Sequence, residues 1–241
     1  MSRMTGAIIG TTHVVEVDGV AMAHRVVGDP ADPPMVLLHG LGDDERDWHG
    51  VLPGLAARHR VYVLDLRGHG RSSRPGRYSF ELMRDDVLGF LDALDVGRCV
   101  LVGHSMGGVV AILLAETAPH RVTRLVVEDV FVPRPGDLDR PPLPPPDEPT
   151  PFDFAAVNAI RAQLNDPDSV WWERTEAVDV PTLVIGGGPD SAIPQKLLAE
   201  MVERMPEAVL VTIPAGHNVH ASRPAEFLAA VDGFLSVDNP R

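Results

Sequence analysis

Cysteine and lysine each occur once in these 241 residues. Cys99 lies inside the apolar run Cys99-Val100-Leu101-Val102, which excludes a disulfide framework and a thiolate metal site. Lys196 stands alone and arginine carries the rest of the positive charge, which reflects genome base composition rather than function. Positive charge is scarce overall: 21 Lys and Arg against 34 Asp and Glu leave a formal net charge of −13, with no basic block or basic-aromatic stripe. Nucleic acid and anionic membrane surfaces are therefore poor partners. No apolar stretch approaches membrane-spanning length, and the N-terminus lacks a basic start followed by an apolar core. A cytoplasmic protein is expected.

What is present suits one large α/β domain over residues 1–241, with a hydrophobic content of 44% and 23% charged residues. Residues His13–Val17 and Ala21–Val27 read as a hairpin turned by Asp18-Gly19. Met35–Leu38 and Val61–Leu64 are short continuous apolar runs, as expected of strands buried on both faces of a parallel sheet, and Leu125–Val127, Thr182–Ile185 and Val209–Ile213 read as further strands. Between them, Arg46–Arg58 predicts a helix broken or kinked at Pro53, and Gln195–Arg204 and Ala225–Leu235 predict two more. Ser79–Leu94 is amphipathic, with Phe80, Met83, Val87, Leu91 and Leu94 on one face and Ser79 able to cap it. There is no internal repeat. One segment breaks the alternation: Pro133–Pro151 holds 9 of the 23 prolines and cannot form regular helix or central strand. Phe154, Val157, Ile160 and Leu164 then space like a short helix, and Trp171-Trp172 follow. A small cap inserted at about 131–178 accounts for this better than a disordered linker, because the segment is apolar and the sheet resumes after it.

The chemistry concentrates at Gly103-His104-Ser105-Met106-Gly107, between an apolar strand and an apolar helical run. A strand that turns at once into a helix strains the turning residue, and small neighbours let the two elements approach. That is the physics of a nucleophile elbow, which lifts a serine hydroxyl to the top of a sheet. Such a serine needs a base, and Gly216-His217, after the last apolar strand, fits; His220 in the same loop competes less directly. His217-x-x-His220 lacks a third ligand of sensible spacing for zinc. The backbone N–H groups of Leu41, in His39-Gly40-Leu41-Gly42, and of Met106 are the natural oxyanion donors. The side chain of His39 is expected to brace its loop, and His69 to lock the polar loop Asp65–Ser72. The run Gly186-Gly187-Gly188 meets Pro189 instead of opening a helix, so it is a poor phosphate cradle.

In chain order, His39-Gly40, Asp65-x-Arg67-Gly68-His69-Gly70-x-Ser72, Gly103-x-Ser105-x-Gly107-Gly108 and Gly216-His217 resemble the α/β-hydrolase superfamily. The likeness covers the chain apart from the proline-rich cap. It implies a mostly parallel eight-stranded sheet flanked by helices, a Ser-His-acid triad and no cofactor. It does not imply a substrate, since the superfamily spans esterases, lactonases, thioesterases, peptidases, C–C hydrolases, dehalogenases and receptors. Haloalkane dehalogenases and epoxide hydrolases carry an aspartate where this chain has Ser105. Proline iminopeptidases usually show a glycine-proline-rich oxyanion loop, from which His39-Gly40-Leu41-Gly42 departs.

Three carboxylates compete for the triad acid. Asp190, in Gly187-Gly188-Pro189-Asp190, stands at the superfamily's usual place, but any turn would choose an aspartate there. Asp129 ends the strand Leu125–Val127, a place that some compact-cap esterases resemble in using. A carboxylate at a buried strand end is costly unless something pairs with it. Asp129 is therefore preferred, with Asp190 the alternative and Glu128 third.

The expectation is a serine hydrolase that cleaves a carboxylic ester or related acyl bond through an acyl-enzyme, with a lactone or thioester as close alternatives. A ligand-binding, receptor-like protein on the same fold is the reading from another class. Trp48, Phe152, Phe154, Trp171 and Trp172 are expected around the mouth, favouring a small or medium apolar acyl or alcohol group. The partner is a small-molecule ester-like substrate, no metal or nucleotide is expected, and the oligomeric state is not legible.

Overall fold

Asp18 and Gly19 both take positive φ, +46° and +81°, which turns strand β1 (Thr12–Val17) into its antiparallel neighbour β2 (Val20–Val27). Turns of this kind match the twist of the strands they join. The computed structural model describes residues 10–237; residues 1–9, on which the expectation of no leader rests, and 238–241 lie outside them. Six further strands follow: β3 (Pro34–Leu38), β4 (Arg60–Leu64), β5 (Cys99–His104), β6 (Val122–Glu128), β7 (Thr182–Gly186) and β8 (Ala208–Thr212). They form an eight-stranded sheet in the order β1-β2-β4-β3-β5-β6-β7-β8, antiparallel at β1–β2 and β2–β4 and parallel elsewhere. The protein has the α/β hydrolase fold.

Side chains along the central strands alternate between two cores. Val36, Leu38, Leu101, Leu125 and Val127 face α2 (Phe80–Ala93) and α3 (Met106–Thr117). Met35, Leu37, Val100, Val102 and Val126 face the opposite layer, α1 (Leu52–Leu55) and α8 (Pro224–Leu235). Helix α2 starts where Ser79 Oγ accepts the Leu82 N–H at 3.1 Å, and buries Phe80, Met83, Val87, Phe90 and Leu91. Helix α3 is buried on nearly every side, so its apolar residues run without amphipathic spacing.

The helix expected over Arg46–Arg58 is broken: a 3-10 turn, Glu45–Gly50, is followed by the single turn α1. Pro53 fits only the first turn of a helix, where its missing N–H costs nothing, so the chain restarts there.

Between β6 and β7, the proline-rich stretch has no regular structure, and α4 (Phe154–Asn165) and α5 (Ser169–Arg174) follow it. Side chains of α4 replace the strand partners that the prolines deny. Asn165 bonds both the N–H and C=O of Arg140 (2.7 and 2.9 Å), and Asn158 does the same for Leu143 (2.9 and 3.0 Å). The helix is tied to the sheet body by Gln163, which accepts from the Phe80 N–H at 2.9 Å and donates to Glu81 at 2.7 Å. Helices α6 (Gln195–Arg204) and α7 (Val219–Ser222) flank the last strand. Among the described residues, no helix is long and apolar enough to cross a membrane.

Candidate active site

Ser105 sits between β5 and α3 with φ +50° and ψ −115°, a strained backbone for a non-glycine residue. The surroundings hold it there: its N–H bonds the Glu128 carbonyl at 3.1 Å, and its carbonyl accepts from Gly108 at 2.9 Å. A Cβ on Gly103 would strike the backbone of Gly107 and Gly108, and one on Gly107 would strike the carbonyls of Leu38 and His39. Only glycine permits this approach of strand, turn and helix. Among the described residues, Ser105 Oγ makes no hydrogen bond.

His217 lies in the loop after β8, its side chain about one-third exposed, and its Nδ1–H donates to Asp129 Oδ2 at 2.7 Å. Asp129 follows β6, is wholly buried and has φ +46°. Its Oδ1 accepts from the Gly187 N–H at 2.8 Å and from Gln195 Nε2 at 2.9 Å, and its Oδ2 also accepts from Ser191 Oγ. Burial alone would raise its pKa. The donors His217, Ser191, Gly187 and Gln195 outweigh that and hold the carboxyl below its ordinary value. Asp190, the alternative acid, is exposed at the turn and makes no side-chain hydrogen bond with His217. The glycine run has its own use here: a Cβ on Gly187 would strike the Gly216 carbonyl, so the absence of side chains lets the His217 loop lie against the end of β7.

Leu41 and Met106 line one cavity with Ser105, and among the described residues neither backbone N–H donates to a protein acceptor. The loop carrying Leu41 is fixed by His39, whose Nδ1–H donates to the Gly40 carbonyl at 2.7 Å while Nε2 accepts from the Leu66 N–H at 3.0 Å. Burial, first, and then neighbouring His69 push His39 down to about 3, so it stays neutral. His69 Nδ1–H donates to the Arg67 carbonyl at 3.0 Å, inside the loop Asp65–Ser72.

The cavity has a volume of about 50 Å³ and is mostly apolar. Phe80, Met106 and Val109 come from α2 and α3, and Val130, Phe131, Leu138, Ile160 and Leu164 from the stretch after β6. None of the expected tryptophans lines it. Trp48 is fully buried in the opposite layer, because the 3-10 turn aims it at α8; it stacks on His220 at 4.4 Å between ring centroids. Trp171 is buried edge-on against Phe80 at 5.6 Å. Trp172 lies between the guanidinium groups of Arg134 and Arg204, 4.6 and 5.2 Å from its ring. Phe152 packs on His69 at 5.9 Å, and Phe154 opens α4.

A second cluster lies directly behind. His220 Nδ1–H donates to Glu128 Oε2 at 2.7 Å, and its Nε2 stands 3.1 Å from Asp47 Oδ1. Burial alone would drive the proton off His220, but Asp47 and Glu128 raise it to about 10. His104 Nε2–H donates to the His217 carbonyl at 3.0 Å, and its Nδ1 is 3.6 Å from Asp47 Oδ2. Asp47, His104 and His220 thus offer a set of donor atoms within 4.8 Å of one another, a grouping that the sequence spacing of His217 and His220 did not reveal. Asp47 faces both rings, 3.1 Å from His220 Nε2 and 3.6 Å from His104 Nδ1. Sequence reading missed Asp47, His104, Ser191 and Gln195. Glu128-Asp129 opposite His217-x-x-His220 was the one pattern that could have suggested two pairs.

A family model described as alpha/beta hydrolase fold matches residues 33–153. The chain is similar to the sn-1-specific diacylglycerol lipase ABHD11 of Mus musculus, 29% identical over 254 residues, covering 87% of this chain and 83% of that one. It is also similar to esterase YbfF of Escherichia coli K12, 27% identical over 251 residues, covering 84% and 93% respectively. The crystal structure of a hydrolase from Pseudomonas aeruginosa PA01 aligns with a TM-score of 0.83 and 27% identity, covering 95% of this chain and all 100% of that one.

Proposed function

The chain belongs to the alpha/beta hydrolase family, and on that premise we propose that it is a serine hydrolase cleaving carboxylic esters of small acids. One observation carries the reading. Ser105 on its strained elbow, the Leu41 and Met106 N–H groups, which have no protein acceptor among the described residues, and the buried Asp129 carboxylate that holds the His217 imidazole all line one apolar cavity.

Ser105 Oγ attacks the ester carbonyl while His217 Nε2 takes its proton. The Leu41 and Met106 N–H groups receive the charge that develops on the carbonyl oxygen. Asp129 fixes the Nδ1–H tautomer of His217 and stabilises the imidazolium that forms. Its own charge is secured by four donors, so it stays ionised while His217 cycles. The imidazolium then protonates the leaving alkoxide, and water, deprotonated by His217, releases the acyl group from Ser105. The segment 131–178 acts as a cap that sets substrate size. The names of the mouse lipase and the bacterial esterase support an ester over a lactone or thioester.

The test is turnover of a short-chain 4-nitrophenyl ester, with labelling by a fluorophosphonate probe that disappears in Ser105→Ala. A folded protein that neither turns over the ester nor takes the label would instead be a binding protein on this fold.

A further inference from the structure

The cavity that holds Ser105 carries one charge that the fold leaves uncompensated. Its polar lining consists of Ser105, Asp129 and Arg140. Both oxygens of Asp129 are occupied by His217, Ser191, Gly187 and Gln195. Among the described residues, the Arg140 guanidinium has no hydrogen bond and no ion pair. Elsewhere, arginines packed against the fold find carboxylates: Arg25 with Glu45, Arg67 with Asp86, and Arg134 with Asp137 and Glu200. A guanidinium stays protonated at any physiological pH, and a half-buried one without a partner is costly. Burial, and then the nearby charge of Arg161, bear on it unfavourably.

The residue is nonetheless held firmly. Asn165 grips both the N–H and the C=O of Arg140 (2.7 and 2.9 Å), and Arg161 donates to the next carbonyl, that of Pro141, at 2.8 Å. Its neighbours in the wall, Leu138, Ile160 and Leu164, are apolar. A cation carried on an anchored backbone in an apolar wall can select a ligand anion, because the guanidinium offers a bidentate fork to a carboxylate.

We infer that Arg140 is an anion subsite and that the substrate is an ester whose short apolar body carries a carboxylate, a monoester of a dicarboxylic acid. A single guanidinium matches one negative charge, which favours a carboxylate over a phosphate dianion. This rests on the serine-hydrolase reading of the same cavity.

The experiment compares monomethyl esters of succinic, glutaric and adipic acid, each against the methyl ester of the unbranched acid of equal carbon count. Initial rates are followed by titration of released acid. The same compounds are tested for protection of Ser105 from a fluorophosphonate probe. The wild type should favour the carboxylate member of at least one pair by about tenfold or more in kcat/KM or in protection, the size of a charge-assisted hydrogen bond. In Arg140→Gln that ratio should fall to about one, and Arg140→Lys should keep part of it. Because the ratio is taken within each enzyme, a general loss of activity or stability does not mimic the result. A wild type without the preference, or a preference that survives in Arg140→Gln, overturns the subsite and leaves the hydrolase reading intact. Protein that takes no label and turns over no ester overturns both.

Discussion

Two histidines three residues apart, His217 and His220, are bound by two adjacent carboxylates, Asp129 and Glu128, each through Nδ1 at 2.7 Å. The pairs look alike on paper and differ in what the second ring nitrogen meets. For His220 it meets Asp47, and the ring is 1% exposed. For His217 no carboxylate stands opposite among the described residues, and the side chain is 34% exposed. A histidine clamped between two carboxylates holds its proton up to about 10 and cannot exchange it near neutrality. A histidine with one nitrogen free can take a proton from a neighbour and return it. On the proposed mechanism, the difference separates a pair that stabilises from a pair that serves catalysis. Glu128 closes β6 and the next residue, Asp129, takes a positive φ of +46°, so the two adjacent carboxylates meet different histidines.

The comparison breaks most severely at Ser105. Ser105→Ala should lower ester turnover by about a millionfold, the scale at which a triad acts as a unit. Its thermal midpoint should stay close to wild type, since the hydroxyl makes no hydrogen bond among the described residues. Activity within tenfold of wild type would refute the nucleophile. Next is Asp129→Asn, which should cost roughly ten-thousandfold in turnover by favouring the wrong tautomer of His217. A loss below tenfold in steady-state kinetics would show that Asp129 does not orient the base.

Glu128→Gln attacks the closed pair and should act on stability instead. It leaves the His220 imidazolium with a weaker partner in a dry site, and breaking such a pair typically costs about 3 kcal/mol or more. Urea unfolding gives that figure directly. An unchanged midpoint would mean that Asp47 alone suffices. The same pair predicts a pH dependence. The folded pKa of His220 lies above the value of about 6.5 expected in the unfolded chain, so its contribution is complete below that value and fades as pH rises through about 10. The denaturation midpoint should therefore fall on the alkaline side, and His220→Gln should flatten that limb. Asp129 works in the opposite direction: its pKa is depressed, so its contribution is present above the ordinary carboxylate range and fades in acid.

Strands and helices were legible wherever one local rule decided them. The Asp18-Gly19 turn, the Ser79 cap and the elbow glycines fall where the residues place them. In Arg46–Arg58 the break at Pro53 is legible, but the 3-10 geometry of Glu45–Gly50 is not. That geometry packs Trp48 against His220 and Phe227 and keeps it out of the cavity. Trp171 and Trp172 misled for a related reason, since an aromatic after a cap helix serves packing as readily as substrate. Their partners, Phe80, Arg134 and Arg204, lie far away in sequence. Ser191 and Gln195 carry no signature, because their role exists only once β6 and β7 are adjacent.

The smallest effect sharpens the comparison furthest. Asp190 occupies the place after the penultimate strand where the family resemblance puts the acid, yet it is exposed and forms no pair with His217. Asparagine keeps the side-chain geometry and the local hydrogen bonds that a turn requires. Asp190→Asn should therefore leave ester turnover within about twofold of wild type and the unfolding midpoint within roughly 0.5 kcal/mol. Measured beside Asp129→Asn, it tests whether a short aspartate after β6 can replace the usual one after β7. A loss in Asp190→Asn comparable to that in Asp129→Asn would mean that the loop rearranges during turnover to bring Asp190 to His217. In that case Asp129 would be a structural carboxylate like Glu128, and both pairs at the end of β6 would serve stability alone.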